Sequence, residues 1–463
     1  MTTLLFETAL LPDGWANNVA ITIDADGAIA QVEKDAEIKG STVVTGAALP
    51  GMPNLHSHAF QRAIAGFGEV SGPEQAGAEP DSFWSWRKIM YGFLASMNPE
   101  DVQTIATKLY VDMLKAGYTT VGEFHYLHHD INGSAFADRA EMSNRVIGAA
   151  ENAGIGITQL PVLYNYSGFG GQPANDGQRR FLNDADGFMD IVSSLHKAHA
   201  DSFNVRVGIA PHSLRAATPE LLNEVISALN SIDSASPIHI HIAEQTKEVD
   251  DCLAWSNKRP VEWLLDNQDV NERWCLIHAT HLVDSETDQL AASGAVAGLC
   301  PVTEANLGDG LFPARRFMDK GGVIGIGSDS HISVNMKEEL RWLEYGQRLF
   351  SHERAVLSGG ADRSTGRNLY DAALAGGTQA CGRPIGALKV GNRADIIVLD
   401  CNASPLYGRA GDGILDAWMF ACDTNPVRDV YVGGKQVVSG GTHSLDEMAE
   451  ADFQQVLSRL MDA

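Results

Sequence analysis

The sequence predicts an α/β protein, a (β/α)8 TIM barrel carrying a small β-sandwich domain built from both chain ends. Three observations predict it. Eight short runs rich in β-branched residues alternate with longer amphipathic stretches through the middle of the chain, the rhythm of βα units around a parallel sheet. Nearly every run is apolar until its C-terminal end, where a polar side chain appears, and a barrel gathers those ends on one face. Both chain ends instead alternate apolar and polar residues over short distances, as antiparallel strands do.

The N-terminal part of the β domain, residues 1–48, comes first. From Leu4 to about Ala48 its alternation is broken by turn signals such as Asp26-Gly27. The barrel follows over residues 49–383, with runs at ALPGMPNLHSH, YTTVGEFHY, IGITQLPVLY, NVRVGIAPHS, PIHIHIAE, WCLIHATH, AVAGLCPV and VIGIGSDS. One helix between them opens at Asn98-Pro99-Glu100-Asp101, with a capping Asn, a Pro in the first turn and early acids. It closes at Lys115-Ala116-Gly117, a cation before a terminating glycine. Residues 384–463 supply the C-terminal part of the β domain, GALKVGNRADIIVLD and VRDVYVGGKQVVSGG, and a terminal helix.

Composition narrows the function classes. A chain of 463 residues with 44% hydrophobic and 20% charged residues is an ordinary globular protein large enough to bury its own core. The 6 cysteines form no C-x-x-C pair, which argues against a disulfide framework or zinc knuckle and points to a reducing cytoplasm. No Lys or Arg precedes Lys34 and no long uncharged apolar run occurs, so neither a signal peptide nor a spanning helix is expected. The net charge of −25 speaks against nucleic acid or anionic membrane as a partner. It also means that a small anionic substrate needs local cations.

The strand ends carry His56, His58, His125, Tyr164, His212, His241, His278 and Asp329. A single such histidine is more often a packed core residue; several on one face form a site. In His56-Ser57-His58, residues two apart on a strand project to the same side, so both imidazoles can reach one ion. In HIHIAEQ, His239 and His241 share a face; His241, nearer the strand end, is the better ligand, and His239 fits a barrel-core layer. Glu244 begins the loop beyond, either a carboxylate beside the metal or a solvent-exposed acid. Asp329 in IGIGSDSH is costly to bury unpaired, which a nearby metal relieves; the alternative is a helix N-cap. Three histidines and a carboxylate with one open position make a zinc-like hydrolytic site, and the same ligands suit iron or manganese.

With PGMPNLHSH, HIHIAE, LIHATHL, GSDS and the tail motif GNRADIIVLD, the chain resembles the amidohydrolase superfamily over nearly its full length. The resemblance implies a barrel with a composite β domain and a divalent ion. Members with two metals bridge them with a lysine or glutamate at the fourth strand. Here that strand ends in APHSLRA, so one ion per subunit is expected, Zn2+ first, with Fe2+ or Mn2+ as alternatives. HSHAFQRAIAG, SFWSWRKIMY, GEFHYLHHD and APHSLRA further resemble the N-formimino-L-glutamate iminohydrolases of histidine degradation.

Carried over residue by residue, this resemblance implies metal ligands at His56, His58, His241 and Asp329. It implies catalytic groups at Glu244, His278 and Asp329, and substrate contacts at Gln61, Arg87, Tyr126, His212 and Arg215. Arg87, His212 and Arg215 supply the local cations, and arginine forks match carboxylates bidentately. Taken without the resemblance, Arg87 could be a surface cation over an aromatic face, and Arg215 could pair with an acid. The expected reaction is hydrolysis of N-formimino-L-glutamate to N-formyl-L-glutamate and ammonia. Asp329 and His278 orient the water and hold its proton, with His281 as competitor for the His278 role; Glu244 protonates the leaving nitrogen. The alternatives are a deaminase of a cyclic amidine (purine, pyrimidine or triazine) and, more remotely, a non-catalytic scaffold. The resemblance also implies a homodimer. The segment from Gly66 to Trp86 is either a lid or a tolerated surface insertion.

Overall fold

The structure is a computed structural model and describes residues 1–37, 43–69, 83–360 and 363–462. Eight parallel positions form the barrel wall. In chain order they are Met52–Ser57, Tyr118–His125, Gly156–Leu163, the interrupted pair Val205–Val207 and Ala210–Pro211, then Ile238–Ile242, Trp274–His278, Val296–Leu299 and Val323–Ile326. Each pairs in parallel with the next in two runs, and parallel bridges close the runs into a ring at Ile209–Ile238 and Ser57–Asp329. The strands are covered on both faces, which is why they read as continuous apolar runs.

Closure brings the eighth strand against the first through the residues of greatest chemical interest. The Asp329 amide donates to the His56 carbonyl at 3.1 Å, and the His58 amide donates to the Asp329 carbonyl at 3.3 Å. Gly327 permits this contact, since a Cβ there would lie 2.7 Å from the His56 Cβ and 2.8 Å from its carbonyl oxygen. The helix Pro99–Lys115 starts on a reciprocal capping box. The Asn98 side chain accepts from the Asp101 amide, and the Asp101 carboxylate accepts from the Asn98 amide.

An eight-stranded sheet is drawn from both chain ends, with Val43–Pro50 as the seam. That strand pairs in parallel with Thr2–Leu11 and antiparallel with Ile396–Leu399. The sheet wraps a separate core that includes Phe6, Val19, Ile21, Ile396, Val398 and Tyr431. The GNRAD motif ties it to the barrel. Buried Arg393 pairs with Asp395 and reaches across to the Thr119 carbonyl at 3.0 Å and the Thr120 hydroxyl at 2.6 Å. The terminal helix Asp446–Met461 lies along Pro99–Lys115, held by ion pairs of Lys115 with Asp446 and Arg459 with Asp101. No helix among the described residues is long and apolar enough to cross a membrane.

Candidate metal centre and substrate cavity

At the C-terminal ends of the strands, His56, His58, His241 and Asp329 converge. The facing Nε2 atoms of His56 and His241 are 3.1 Å apart. Asp329 Oδ1 lies 3.4 Å from His56 Nε2 and 3.3 Å from His58 Nε2. His58 donates its other nitrogen, Nδ1, to the Phe124 carbonyl at 2.8 Å, which leaves Nε2 as a lone-pair donor. Burial holds His56 down to about 3, with Asp329 opposing and His58 and His278 assisting; burial likewise lowers His58 and His241. Burial acts to raise the Asp329 carboxyl, but hydrogen bonding to His56 and the charges of His56, His58 and His278 hold it below the usual range.

Neutral imidazoles with ring nitrogens turned toward one another, beside an ionised carboxylate, are a donor set for a divalent cation rather than a self-sufficient hydrogen-bond network. The three histidines and Asp329 offer the nitrogen and carboxylate donors that a divalent ion takes. Several residues here hold backbone conformations that side chains seldom adopt: Ala243, His278, Ala279, Asp329 and His331 have φ between 46° and 68°. Such strain costs on the order of 1 kcal/mol or more per residue and concentrates at functional sites.

Beside the donor cluster sit Glu244 and His278. His278 Nε2 is 3.9 Å from Glu244 Oε1 and 3.9 Å from Asp329 Oδ2, and Nδ1 is 3.3 Å from Glu304 Oε1. Burial opposes charge on His278, yet Glu244, Glu304 and Asp329 together raise it to about 10. Burial, reinforced by Asp329 and Glu248, raises the Glu244 carboxyl against the pull of His278 and Arg215. Glu244 is therefore a buried acid, not the solvent-exposed loop residue that its position also allowed. An imidazole and a carboxyl held in contact, both shifted toward keeping a proton, form an acid–base pair.

A cavity opens above this floor and is lined by all five expected substrate contacts, Gln61, Arg87, Tyr126, His212 and Arg215. Gln61 donates to the Tyr126 hydroxyl at 2.8 Å, and its carbonyl oxygen is buried without a hydrogen-bond partner among the described residues. Arg87 reaches the cavity from the helix Phe83–Leu94, its guanidinium 5.6 Å from the Tyr91 ring centre. One expectation is corrected. His212 is not a cation, because burial, and then the charges of Arg215, His58 and Arg87, press it well below the ordinary imidazole value. It packs at 4.6 Å against the Tyr164 ring, a neutral group within reach of both arginine charges.

Not every polar strand end joins the site. His125 bonds to the Leu127 carbonyl at 2.8 Å and does not line the cavity. His239 donates to the Ala380 carbonyl one layer down, as a core residue. His331 bonds to Ser57 and Ser328 beneath the ligands. His281 stays outside the lining while His278 enters it. Most of the Gly66–Trp86 segment, residues 70–82, lies outside the described residues. The residues that sequence reasoning missed are Glu304, partner of His278, and the aromatic walls Trp86, Tyr91 and Phe181. Glu304 left only the trace of an acid early in a helix.

A closed barrel whose strand ends present a three-histidine, one-carboxylate cluster beside a buried acid–base pair defines the class of metal-dependent barrel hydrolases. The comparisons with known proteins agree. The pattern of the amidohydrolase family matches residues 47–437, and that of the formimidoylglutamate deiminase HutF N-terminal domain matches residues 1–42. The chain is 53% identical over 462 residues to a formimidoylglutamate deiminase of Pseudomonas aeruginosa, covering 100% of both chains. It superposes on the crystal structure of an amidohydrolase from Brucella melitensis with a TM-score of 0.94, at 50% identity and with 100% of each chain covered. An adenosine deaminase from Xanthomonas campestris with bound zinc shares the fold at 20% identity, with a TM-score of 0.81 over 100% of this chain and 98% of that one. The chain belongs to the amidohydrolase family.

Proposed function

We propose that this hydrolase converts N-formimino-L-glutamate and water to N-formyl-L-glutamate and ammonia, with one divalent ion held by His56, His58, His241 and Asp329. One observation carries the reading: the donor cluster and the Glu244–His278 pair form the floor of a cavity whose wall holds both Arg87 and Arg215. The 53% identity to a deiminase of that name supports the same substrate. Zn2+ is the ion we assign, with Fe2+ or Mn2+ as substitutes of similar ligand preference.

A divalent ion bound there supplies the Lewis acidity that makes hydroxide available near pH ~7. The remaining chemistry falls to the chain. Asp329 and His278, 3.9 Å apart, orient the attacking water, and the Asp329 carboxylate takes its proton. The water oxygen bonds to the formimino carbon. Glu244, only 5% exposed, passes a proton to the nitrogen, and the proton taken from the water follows it. The carbon–nitrogen bond then breaks to release ammonia, while the carbon-bound hydroxyl returns a proton to Glu244 and closes to the formyl carbonyl. Arg87 and Arg215 hold the substrate carboxylates, and charge-assisted bonds of that kind are about twice as strong as neutral ones. Gln61, Tyr126 and His212 orient the chain between them as neutral partners.

The deciding experiment measures ammonia release by metal-replete protein from formiminoglutamate and, in parallel, from guanine, cytosine and adenosine. Turnover confined to formiminoglutamate is expected; turnover of a base alone overturns the reading in favour of a cyclic-amidine deaminase, for which the aromatic walls are suited. We also infer a homodimer, checked by sedimentation. The cytoplasm is the compartment we assign, since all six cysteines are free.

A further inference from the structure

We propose that Glu304 is a positioning residue: its carboxylate fixes the His278 imidazole with the proton on Nδ1 and Nε2 turned into the cavity. The inference rests on the role given to His278 above. Glu304 lies on the short helix Pro301–Leu307 after the seventh strand and is 5% exposed. Its Oε1 accepts the Cys300 amide at 2.8 Å and stands 3.3 Å from His278 Nδ1. The opposite edge of the same ring presents Nε2 to Glu244 and to Asp329, each at 3.9 Å. His278 thus spans from a carboxylate that touches nothing in the cavity to the two carboxylates at its floor.

A neutral imidazole can carry its proton on either nitrogen, and the acceptor on one edge decides which. An oxygen already tied to a backbone amide is held in place as an acceptor. It therefore holds a proton on Nδ1 and turns Nε2 toward the carboxylates at the cavity floor. The His278 ring is fixed in tilt as well, stacked on His241 with centroids 5.6 Å apart and planes 13° from parallel. The strained backbone of His278, at φ 68°, places that ring where both contacts are made at once.

Glu304 has a competing structural duty, because a carboxylate that accepts the amide before its own helix is a cap. The same Oε1 serves both duties, and a glutamine oxygen can accept from both partners as well, so Glu304→Leu, which offers no acceptor, is the variant that tests the contact. In metal-replete Glu304→Leu we expect kcat to fall about 10–100-fold, the usual cost of losing a partner that orients a working histidine. KM and metal content should stay at parent values, and loss of the cap is read separately in the melting temperature. Nitrogen-15 spectra of histidine-labelled protein should show the His278 signal, assigned by its loss in His278→Asn, moving away from the Nδ1–H form. Adding Glu304→Leu to His278→Asn should cost kcat nothing further, since the two residues act as one unit. A Glu304→Leu enzyme with kcat within about twofold of the parent, while His278→Asn is inactive, reduces Glu304 to a cap and overturns the proposal alone. Full activity in His278→Asn overturns it together with the reading of His278. Glu304→Asp, which keeps the charge but withdraws the oxygen, serves if the leucine variant does not fold; parent-like kcat there overturns the positioning role too.

Discussion

Replacing Glu244 by glutamine tests the proposed chemistry most directly, because the change is isosteric and removes only the transferable proton. Glu244 is 5% exposed and its carboxyl is raised by burial and by Asp329 and Glu248. Bulk water has little access to replace it as proton donor. General acid–base catalysis contributes ~10²–10⁴ in rate, and the enclosed position puts Glu244 toward the upper end. At ~1.4 kcal/mol per tenfold, that corresponds to ~4–5 kcal/mol of transition-state stabilisation. KM should change little, because the amide still fills the same space at the cavity floor. Stability should move the other way. A carboxyl whose folded value is raised above its unfolded one costs stability as pH rises past the unfolded value, and glutamine carries no such cost. The variant should therefore melt no lower than the parent while turning over far more slowly. The assay is ammonia release under single-turnover conditions, with metal content measured on the same sample. Turnover within ~10-fold of the parent in a fully metallated variant refutes the assignment.

Three further outcomes follow from the geometry. His241→Asn removes a nitrogen that faces His56 across 3.1 Å, so metal affinity should fall by more than the ~10–100-fold cost of second-shell changes; full metal content after dialysis against a chelator counts against the ligand set. Arg215→Met should raise KM for formiminoglutamate by ~10–150-fold, the equivalent of one charge-assisted hydrogen bond of ~1.5–3 kcal/mol, with a smaller effect on kcat; an unchanged KM assigns Arg215 to structure. Buried Glu123 accepts from the Ser57 hydroxyl at 2.5 Å and the Ala59 amide at 2.7 Å, and burial raises it to about 7 despite these bonds. Its unfolded value is lower, so its contribution is most favourable below ~4.5 and is lost as pH rises through about 7. Glu123→Gln should erase that part of the slope, roughly 3 kcal/mol in all, in chemical unfolding of parent and variant compared between pH ~5 and ~8; parallel curves refute the assignment.

The proposed ligands were legible in the sequence because each sits at or just beyond the end of a covered strand. An apolar run that stops at a histidine or aspartate marks both the barrel face and the side chain on it, and His56, His58, His241 and Asp329 all obey that rule. The rule fails where the residue that matters is set by the loop rather than the strand. His125 closes the second strand but turns to the Leu127 carbonyl, and Tyr126, one residue later, enters the cavity instead. Glu304 escaped because an acid shortly after a helix-starting proline fits ordinary capping, and only the fold brings it 3.3 Å from a histidine 26 residues earlier. The charge of His212 was misjudged for a related reason. Residue type shows that an imidazole can be charged, but only packing shows that desolvation and two nearby arginines keep it neutral.

The arrangement of charge also bears on why a linear substrate is favoured over a flat base. The cavity floor is rich in carboxylates: Asp329 and Glu244 line it, with Glu304 and Glu248 behind them. The two arginines both influence His212, Tyr164 and Tyr91, on the aromatic side of the cavity, and Arg215 also reaches Glu244. The cavity is therefore polarised, acidic where the proton transfers occur and cationic toward its aromatic wall. An amidine-like end is drawn to the floor and carboxylates are drawn to the arginines, so one molecule bearing both is aligned before any specific contact forms. A neutral purine or pyrimidine gains nothing from that polarity and offers no carboxylate to Arg87 or Arg215. Selectivity here follows from opposing ends rather than from shape, and it predicts that removing both substrate carboxylates harms turnover more than lengthening the chain between them. Ammonia release from formiminoglutamate, its one-carbon homologue and an uncharged diamide measures that order, and preference for the diamide over the homologue contradicts it.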